Sequence, residues 1–554
     1  MQTNYYDLRD ARAAQNEVDS KIAAAAAILR DGGLVAIPTE TVYGLGANGL
    51  DPKAVEQIFQ VKGRPQDNPL ILHLAEAQWL ERYCREIPAE AYRLAEAFWP
   101  GPLTMILKRK DMVPDVTTAG LDTVAVRCPD HPVTLAIIRE AGLPIAAPSA
   151  NLSGRPSCTT AQDVLEDMDG KIQGIVDGGP CAVGVESTIL DLTCKPPRIL
   201  RPGGLPVEEI EALLGAVEMD KAIVGALAEG EQPKAPGMKY RHYAPKAPVT
   251  VVTGAPEASA KLILQQVQPG DGVICFDEFA SLYPQQVVQK LGRSEDKRSH
   301  AQRVFDALRA FDSSDATAIY AQCPDEKGLG LAVSNRLKKA AGFHVLQAEN
   351  PKVVIGLTGG TGAGKSEALA AIERLGGTVI DCDKVYYQML QENEAFRQEI
   401  GRQFPGTISP EGQLDRGKLG REVFASEEKL EALNQIVYRF IVPEVERQLQ
   451  GNDLFAIDAI NLMESGLGRL CQCTVAVIAP AERRVHRIME RDGITEEYAR
   501  LRIAAQKSDE FYRSACDLEL YNNEETALAF AKMAEDFFCT LIHKIRFGGH
   551  DNDD

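Results

Sequence analysis

The stretch VVIGLTGGTGAGKSEALAAIERLG, residues 353–376, decides the fold of the C-terminal part of the chain. Its β-branched opening predicts a strand, its closing residues predict an amphipathic helix, and Gly359 to Ser366 between them match the pattern GxxxxGKS. Glycines let successive backbone N–H groups face phosphate oxygens, Lys365 can reach the terminal phosphates, and the Ser366 hydroxyl can bind Mg²⁺. We therefore predict an α/β domain of the P-loop NTPase fold, with a parallel sheet, that binds ATP or GTP. A glycine-rich turn without a nucleotide is the alternative.

The next predicted strand ends in VIDCD, which places Asp381 and Asp383 where open parallel sheets bind their ligands. By strand alternation both carboxylates would point the same way, and one of them could deprotonate an acceptor hydroxyl. A cap on the following helix is the alternative role for either residue.

A pair of helices joined by a turn is predicted over residues 479–506, APAERRVHRIMERDGITEEYARLRIAAQ. Its arginines form either a solvated basic face or a mobile lid that neutralises the transferred phosphoryl group. These arginines are Arg483, Arg484, Arg487 and Arg491.

The whole chain has 554 residues, 45% of them apolar and 25% charged, so we expect a globular protein of several domains. No apolar run approaches the ~20 residues of a membrane helix, and the first residues lack a secretory signal, which favours the cytoplasm. The twelve cysteines form no CxxC pair, and we expect Cys471 and Cys473 to be buried apolar residues rather than metal ligands. A net charge of -19 argues against a protein whose whole surface binds nucleic acid.

A polar, turn-rich stretch at residues 347–352 marks the main domain boundary. Before it, strand-like PVTVV from Pro248, helix-like ASAKLILQQV and strand-like GVICF predict a small Rossmann-like α/β domain. The stretch APGMKYRHYAPKAP, residues 235–248, is a plain linker, a lid over a small anion or a grip on RNA. The predicted domains are residues 1–234, the connector 235–248, the small domain 249–347 and the P-loop domain 352–545.

In the N-terminal part, cations and small hydroxyl residues concentrate in short segments that we expect at strand ends or in loops. Singly they have ordinary explanations, such as surface charges, a helix cap or an edge histidine. Together, Lys62, Arg64, Arg127 and Arg201 beside turn residues in an acidic protein predict a site for a polyanion such as a nucleoside triphosphate. The segments are PTETVYGLG (38–46), KGRPQDNPLILH (62–73), DTVAVRCPDHP (122–132), APSANLSGRPS (147–157), GVESTILDL (184–192) and RILRPGG (198–204).

These segments closely resemble the threonylcarbamoyl-AMP synthase family, of the YrdC-like fold, over residues 20–347. The matching motifs occur in order: TET, KGR, WPGPLT, VAVR, SAN, and ESTILD with RPGG, while GLGLAVSNRLKKAAGFHV is similar to the extra C-terminal domain of the longer members. The resemblance implies a twisted α/β sheet and a reaction in which L-threonine, bicarbonate and ATP give threonylcarbamoyl-adenylate and pyrophosphate, with Mg²⁺ as cofactor. It also implies partner proteins that pass the threonylcarbamoyl group to adenosine in tRNA.

Carried over by position, the resemblance implies that Arg127 holds the threonine carboxylate and that Lys62 and Arg64 act in catalysis, without a covalent enzyme intermediate. It also implies that the connector folds over ATP through Lys239, Arg241, His242 and Tyr243. The implied threonine-binding residues are Thr39, His73, Arg127, Ala147 and Ser187. The implied ATP-binding residues are Lys62, Arg64, Asn68, Thr123, Ser149, Asn151, Ser157, Arg201 and Tyr243.

Residues 352–545 resemble dephospho-CoA kinase, which phosphorylates the ribose 3′-hydroxyl of dephospho-CoA with ATP. The matches are GLTGGTGAGKS, VIDCD, GQLDRGKLGREVF, AIDAINLMESGL and RIMERDGIT, the last of them as a helical lid. The resemblance implies that Asp383 is the general base, that Lys365 is catalytic and that Ser366 binds Mg²⁺. The implied ATP-binding residues are Gly359, Gly360, Thr361, Gly362, Ala363, Gly364, Lys365, Ser366, Arg487 and Arg491.

The chain departs from the kinase pattern at three places. The family has a threonine-histidine-proline turn where this chain has IVYRF at 436–440. Asn461-Leu462-Met463 replaces proline-leucine-leucine, and Glu367 replaces threonine. These changes bear on acceptor affinity more than on catalysis, because Lys365, Ser366 and Asp383 are unchanged.

The main hypothesis is a bifunctional enzyme with two ATP-using sites, without stable nucleic-acid binding or membrane association. One alternative makes the N-terminal part an RNA-binding module, although the acidic charge and the lack of a basic and aromatic stripe speak against it. Another keeps only the kinase active and the rest as a scaffold.

Overall fold

The computed structural model describes residues 2–9, 15–223, 235, 243–409, 413–423 and 425–547. The chain divides into two compact units, Met1–Glu349 and Asn350–Asp554, and both are mixed α/β structures, as the sequence predicts. The finer domain bounds stay predictions. Among the described residues, none of the helices has the length and apolar character needed to cross a bilayer.

The first unit begins with a mixed sheet, which contains twelve strands among the described residues. The hydrogen-bonded order is β1-β9-β2-β3-β8-β4-β7-β6-β10-β11-β12, with β5 beside β6. The strands are β1 Asn4–Asp7, β2 Val35–Ile37, β3 Gly44–Asn48, β4 Ile71–His73, β5 Cys84–Arg85, β6 Leu103–Arg109, β7 Thr123–Arg127, β8 Ile145–Ala146, β9 Gly174–Asp177, β10 Thr188–Asp191, β11 Arg198–Arg201 and β12 Glu218–Met219. The helices are α1 Gln15–Arg30, α2 Pro52–Lys62, α3 Leu80–Tyr83, α4 Ala89–Phe98, α5 Asp115–Thr118, α6 Pro132–Ala141, α7 Ala161–Met168 and α8 Val207–Leu214.

The core of this sheet forms where apolar strands meet the buried faces of α1, α2 and α6. In α1 the buried residues are Ala25, Ala26 and Leu29, and the small side chains let the helix lie close to its neighbours. Strands β4 and β7 run parallel, so His73 and Arg127 are register partners at the end of both. The sheet therefore brings two of the expected ligand-binding residues together.

The same unit contains a second sheet, whose described strands are all parallel in the order β15-β14-β16-β13-β17. The predicted strand, helix and strand after Pro248 are confirmed by β13, α9 and β14. We call residues 249–347 the small domain. Its elements are β13 Val249–Thr253, α9 Pro256–Gln266, β14 Gly272–Cys275, β15 Val287–Lys290, α10 Lys297–Ala310, β16 Ile319–Gln322, α11 Leu329–Ala340 and β17 Val345–Gln347.

The second unit has a parallel sheet in the order β19-β20-β18-β21-β22. Strand β18 leads through the glycine-rich loop into α12, which confirms the predicted strand, loop and helix. The strands are β18 Val353–Thr358, β19 Thr378–Asp381, β20 Leu454–Asp458, β21 Cys473–Ile478 and β22 Leu518–Tyr521. The helices are α12 Lys365–Arg374, α13 Cys382–Glu392, α14 Glu394–Gln403, α15 Arg416–Val423, α16 Glu427–Gln448, α17 Ala481–Asp492, α18 Glu496–Ala504, α19 Asp509–Ala515 and α20 Ala527–Phe547.

The predicted pair of helices over residues 479–506 is confirmed by α17 and α18. Cys473 is buried and Cys471 is partly buried, and both are free thiols. Across the described ranges, no group of three His, Cys, Asp or Glu side chains is arranged to hold a metal ion.

Candidate functional site

The first unit contains a polar cavity, which we call the first site. Its wall is built by loops after β2 and β8, by the ends of β4, β7 and β11, and by the residues before β10. The lining residues are Thr39, Thr41, Val42, Gly44, Arg64, Ile71, His73, Arg127, Ala147, Pro148, Ser149, Asn151, Glu186, Ser187, Arg201 and Tyr243.

Arg127 is buried at the end of β7 and is already paired with a carboxylate of the protein. Its Nη2 lies 2.5 Å from Oε1 of Glu40, which is also buried. The same guanidinium donates to the Thr41 hydroxyl at 2.9 Å and to the Gly101 carbonyl at 3.2 Å. A carboxylate ligand would therefore have to share this guanidinium with Glu40, a residue that the sequence reasoning did not select although it lies inside the TET motif.

His73 lies beside Arg127 on the neighbouring strand. Burial and the adjacent Arg127 charge lower the pKa of His73 to about 3. Its Nδ1 is buried and has no hydrogen-bond partner among the described residues. The imidazole therefore presents one unused polar atom in a cavity wall, which is the arrangement expected where a ligand completes the hydrogen bonding.

Lys62 is the last residue of helix α2, which corrects the expectation that its segment lies at a strand end or in a loop. The helix stops there because Gly63 adopts the left-handed conformation, with φ of 62°. The ammonium donates to the carbonyl of Ser149 at 2.5 Å and to that of Asn151. Burial and the Arg64 charge lower the pKa of Lys62 to about 7. Lys62 therefore touches the SAN motif from behind the cavity wall.

Arg64 and Arg201 line the cavity and are both buried. Arg64 donates to the carbonyls of Asn68 and Pro69, at 3.4 and 3.2 Å. Arg201 donates to the carbonyl of Ser187 at 3.0 Å. Burial lowers the pKa of each guanidinium, that of Arg64 to about 10. Backbone carbonyl oxygens help to position both cations in the cavity wall, where their charges can attract an anion.

Tyr243 lines the same cavity from the end of the connector. It is buried with a left-handed backbone, φ 64°, and its ring lies 5.1 Å from that of Phe305 in α10. The guanidinium carbon of Arg336 lies 5.6 Å from the Tyr243 ring centroid. The other expected lid residues, Lys239, Arg241 and His242, lie outside the described residues.

Most of the sequence-selected residues of the first site converge. Those that line the cavity are Thr39, Arg64, His73, Arg127, Ala147, Ser149, Asn151, Ser187, Arg201 and Tyr243. Lys62 and Ser157 lie behind its wall, Lys62 on the carbonyls of Ser149 and Asn151 and Ser157 on Glu186, and Asn68 accepts from Arg64. Thr123 is the outlier, because it begins β7 while Arg127 ends it, about 13 Å away along an extended strand.

The second site surrounds the glycine-rich loop of the second unit. Three loop glycines adopt positive φ, and a Cβ at Gly359 would lie 2.3 Å from the carbonyl of Val477. Lys365 begins α12, and its ammonium lies 3.7 Å from Oδ1 of Asp458 at the end of β20. The sequence reasoning missed Asp458, although an acidic residue that ends the apolar run LFAID was a usable signal.

Asp458 carries a buried oxygen that lacks a hydrogen-bond partner. This is Oδ1, and it has no such partner within the described part of the chain. Burial raises the pKa of Asp458, as do the nearby Asp381 and Asp383 charges, while Lys365 opposes the shift. Three carboxylates thus gather at the carboxyl edge of the parallel sheet, where such folds bind their ligands.

The two aspartates of VIDCD have different environments, which corrects the expectation that they point the same way. Strand β19 ends at Asp381, and the Asp381 side chain accepts from the backbone N–H groups of Asp383 and Lys384. Asp381 is therefore the helix cap of α13. Asp383 is exposed in the first turn of α13 and also borders a cavity lined by Tyr386, Tyr438 and Asn461. Strand alternation failed because the strand ends between them.

The arginines of α17 contact the glycine-rich loop unequally. Arg484, which is buried, donates to the carbonyl of Thr361 at 3.0 Å and pairs with Asp509 at 2.9 Å. Arg487 donates to the carbonyls of Gly362 and Ala363, at 3.3 and 3.5 Å. Arg491 is exposed and pairs with the adjacent Asp492. The structure therefore adds Arg484 to the loop-contacting arginines.

These observations define an α/β protein with a buried cationic cavity in its first unit and a glycine-rich loop at a parallel sheet edge in its second. Three family models match the chain in succession. The Sua5/YciO/YrdC model, described as telomere recombination, covers residues 27–203, and the threonylcarbamoyl-AMP synthase C-terminal domain covers 205–342. The dephospho-CoA kinase model covers residues 353–527.

Similar proteins extend this result over the first unit. The chain is 50% identical over 332 residues to the threonylcarbamoyl-AMP synthase of Bacillus subtilis, covering 95% of that protein and 59% of this chain. It is 49% identical over 336 residues to the Pyrococcus abyssi protein of the same name, covering 96% of it and 59% of this chain. The chain belongs to the threonylcarbamoyl-AMP synthase family, and the same polypeptide carries a domain of the dephospho-CoA kinase family.

A solved structure is similar to the same region. The crystal structure of P. abyssi Sua5 complexed with L-threonine matches with 47% identity and a TM-score of 0.59, covering all of that chain and 63% of this one.

Proposed function

We propose that this chain is a bifunctional enzyme. Its first site forms threonylcarbamoyl-AMP and pyrophosphate from L-threonine, bicarbonate and ATP, and its second site transfers a phosphoryl group from ATP to the 3′-hydroxyl of dephospho-CoA. The first product then passes to partner proteins that modify tRNA. The relatives named above, and the L-threonine in the P. abyssi structure, support the first activity.

The observation that carries the synthase proposal is the convergence of four buried cations on one small cavity. These cations lie up to 139 positions apart in the chain, yet all are in or behind the wall of the same cavity. They are Lys62, Arg64, Arg127 and Arg201. Glu40 pairs with Arg127, but taking four cations out of water is costly, and an anionic substrate adds to the compensation. We assign the threonine carboxylate to Arg127, with Thr39, His73, Ala147 and Ser187 around the amino acid.

The proposed reaction needs positioning and charge stabilisation. The threonine nitrogen forms a bond to the bicarbonate carbon and water leaves, which gives a carbamate. A carbamate oxygen then bonds to the α-phosphorus of ATP, and the bond to the leaving pyrophosphate breaks. Lys62 and Arg64 stabilise the charge that grows on the pyrophosphate, and Arg201 holds the nucleotide.

A resident Mg²⁺ does not fit the first site as described. Glu186 lines the cavity and is bonded to Arg336, and the nearby Glu40 is paired with Arg127, so arginines engage both carboxylates. We therefore route no step of the first reaction through a metal.

For the second site we propose a P-loop kinase with Asp383 as general base. Asp383 takes the proton of the acceptor hydroxyl, the hydroxyl oxygen bonds to the γ-phosphorus, and ADP leaves. Lys365 and the N–H groups of residues 359–366 would hold the phosphates, with α17 as a lid that carries Arg484 and Arg487. The supporting observation is the gathering of Lys365, Asp458 and Asp383 at one sheet edge.

The second site fits Mg²⁺ better than the first. The Ser366 side chain is exposed beside the loop, and Oδ1 of Asp458 has no hydrogen-bond partner among the described residues. Both are hard oxygen ligands, and Mg²⁺ in such sites takes few protein ligands besides the phosphates. When bound, the ion would neutralise phosphate charge.

The test uses the purified full chain. We expect pyrophosphate release that requires both threonine and bicarbonate, and ADP release that requires dephospho-CoA. Lys62→Ala should abolish only the first reaction and Asp383→Asn only the second. A wild-type chain that bound tRNA tightly without either turnover would favour the RNA-binding alternative.

A further inference from the structure

Arg336 of the small domain is the largest side chain buried completely in the described structure. It lies in α11 and reaches out of the small domain toward the first site. Its Nε donates to Oε2 of Glu186 at 2.7 Å, and its Nη1 donates to the carbonyl of Pro202 at 2.9 Å. Neither the motifs of the sequence nor the proposed reaction assigns this arginine a role.

The contacts of Arg336 with Glu186 and Pro202 adjoin residues of the first site, and its Nη1 also donates to Oδ1 of Asn335 in its own helix at 3.0 Å. Glu186 directly precedes Ser187, and Pro202 directly follows Arg201. The second oxygen of Glu186, Oε1, accepts from the hydroxyl of Ser157 at 2.7 Å. One guanidinium thus connects three chain segments, and two of them carry residues assigned to ATP.

Helix α10 of the small domain also contributes a buried arginine that contacts a segment next to a residue assigned to ATP. Arg309 of α10 is buried and donates to the carbonyl of Pro156 at 2.8 Å, next to Ser157, while it pairs with Asp167 at 3.1 Å. Phe305 of the same helix contacts the ring of Tyr243. The small domain therefore supports the ATP side of the first site through buried side chains of two helices.

Arg336 is one of the groups that favour the charged form of Glu186. Burial alone would raise the pKa of Glu186, but the charges of Arg336 and Arg201 and the hydrogen bond from Ser157 lower it to about 2. Removal of one partner from a buried ion pair leaves an uncompensated charge, which is more damaging than the loss of both partners.

We propose that Arg336 is a positioning residue of the synthase reaction, which acts through Glu186 and Pro202 to hold Ser157 and Arg201 in the geometry that binds ATP. The inference rests on the proposed function of the first site. It makes the small domain a structural part of that site.

Steady-state pyrophosphate release by the full chain tests the proposal. For Arg336→Met we expect kcat/KM for ATP to fall about a hundredfold, with a larger rise in KM for ATP than for threonine. Arg336→Lys keeps the charge and should recover most of the loss. The double variant Glu186→Gln/Arg336→Met should be more active than Arg336→Met, because no buried carboxylate is left unpaired.

Lys338→Met is the matched control, since Lys338 lies on the same helix but pairs with Glu326 of the small domain at 2.6 Å. It should stay within twofold of wild type. The proposal is overturned if Arg336→Met also stays within twofold, or if it lowers kcat alone with both KM values unchanged, as a smaller folded fraction would.

ATP binding supplies a readout that does not depend on turnover. In a Lys365→Ala background, which weakens the second site, ATP titration calorimetry should show weaker binding when Arg336→Met is added. A wild-type chain without threonine-dependent turnover would contradict the proposed function, whereas unchanged ATP binding in this comparison would contradict the role of Arg336.

Discussion

The two sites of this chain are built in opposite ways. In the first site Arg127 and Glu40 have side chains 4% and 7% exposed, and the surrounding cations are buried as well. In the second site Lys365 and Asp458 are 17% and 25% exposed, and Asp383 is exposed. The first site is assembled from distant segments and held together by its own ion pairs, whereas the second uses one local loop and a sheet edge. Substitutions in the first site should therefore affect folding and activity, and those in the second mainly activity.

The largest effect is expected at Lys365 of the second site, on the rate of the kinase reaction. Lys365→Ala should lower the dephospho-CoA-dependent rate about a thousandfold, because one preorganised charge at the phosphates is lost. The melting temperature should hardly change, since the lysine is partly exposed and its pair with Asp458 is long. Coupled ADP assays and calorimetry measure both quantities. A large loss of stability would contradict the view that substitutions in the second site affect mainly activity. Threonine-dependent turnover should be unchanged and is the internal control.

Tyr243→Ala addresses the buried first site. The ring packs on Phe305 and lines the cavity. Its removal should therefore weaken ATP binding by about 2 kcal/mol, which raises KM for ATP in the threonine reaction about thirtyfold. Tyr243→Phe should retain most of the activity if packing is what matters. Equal threonine-dependent turnover in Tyr243→Ala would show that the connector is only a tether.

The pH dependence of the first reaction follows from Lys62. Its pKa is lowered to about 7 by burial and by Arg64, so the free enzyme loses this charge as pH rises through 7. With bicarbonate saturating, kcat/KM for ATP should fall about tenfold per pH unit above that pKa. Lys62→Arg should remove this limb of the profile, because the guanidinium stays charged. A flat profile in the wild type would show that the lowered pKa has no part in ATP capture.

The smallest effect concerns the acceptor pocket of the second site. Tyr438 and Asn461, two departures from the kinase pattern, line the same cavity as Asp383. Tyr438→Phe should raise KM for dephospho-CoA about twofold to tenfold, because one hydrogen-bonding group is removed. KM for ATP is the control. A change in KM for ATP alone would indicate that Tyr438 contacts ATP and not dephospho-CoA.

The strand, loop and helix of the second site could be predicted from one segment because that information is local. Strand, glycine loop, lysine and helix are contiguous, so residues 353–376 suffice for the local fold. Strand alternation failed at Asp381 and Asp383, because β19 ends at Asp381, two residues earlier than alternation assumed. The sequence reasoning also missed Asp458, which comes to Lys365 only through the pairing of β18 with β20.

In the first site the sequence supplied the residue types and the structure supplied their partners. The family resemblance implied roles for His73, Arg127, Ser187 and Arg201, but gave no sign that Glu40 pairs with Arg127. Nor could it show that Arg336, 150 positions after Glu186 in the chain, donates to that carboxylate from the small domain.

The sequence by itself determined the α/β class, the glycine-rich loop and the family motifs, because each depends on neighbouring residues and on backbone preferences. Only the tertiary structure decided which charges meet, which histidine nitrogen stays without a partner among the described residues, and how the small domain supports the first site. Those properties arise from burial and from long-range pairing, whose energies depend on distance and exclusion of water rather than on order along the chain.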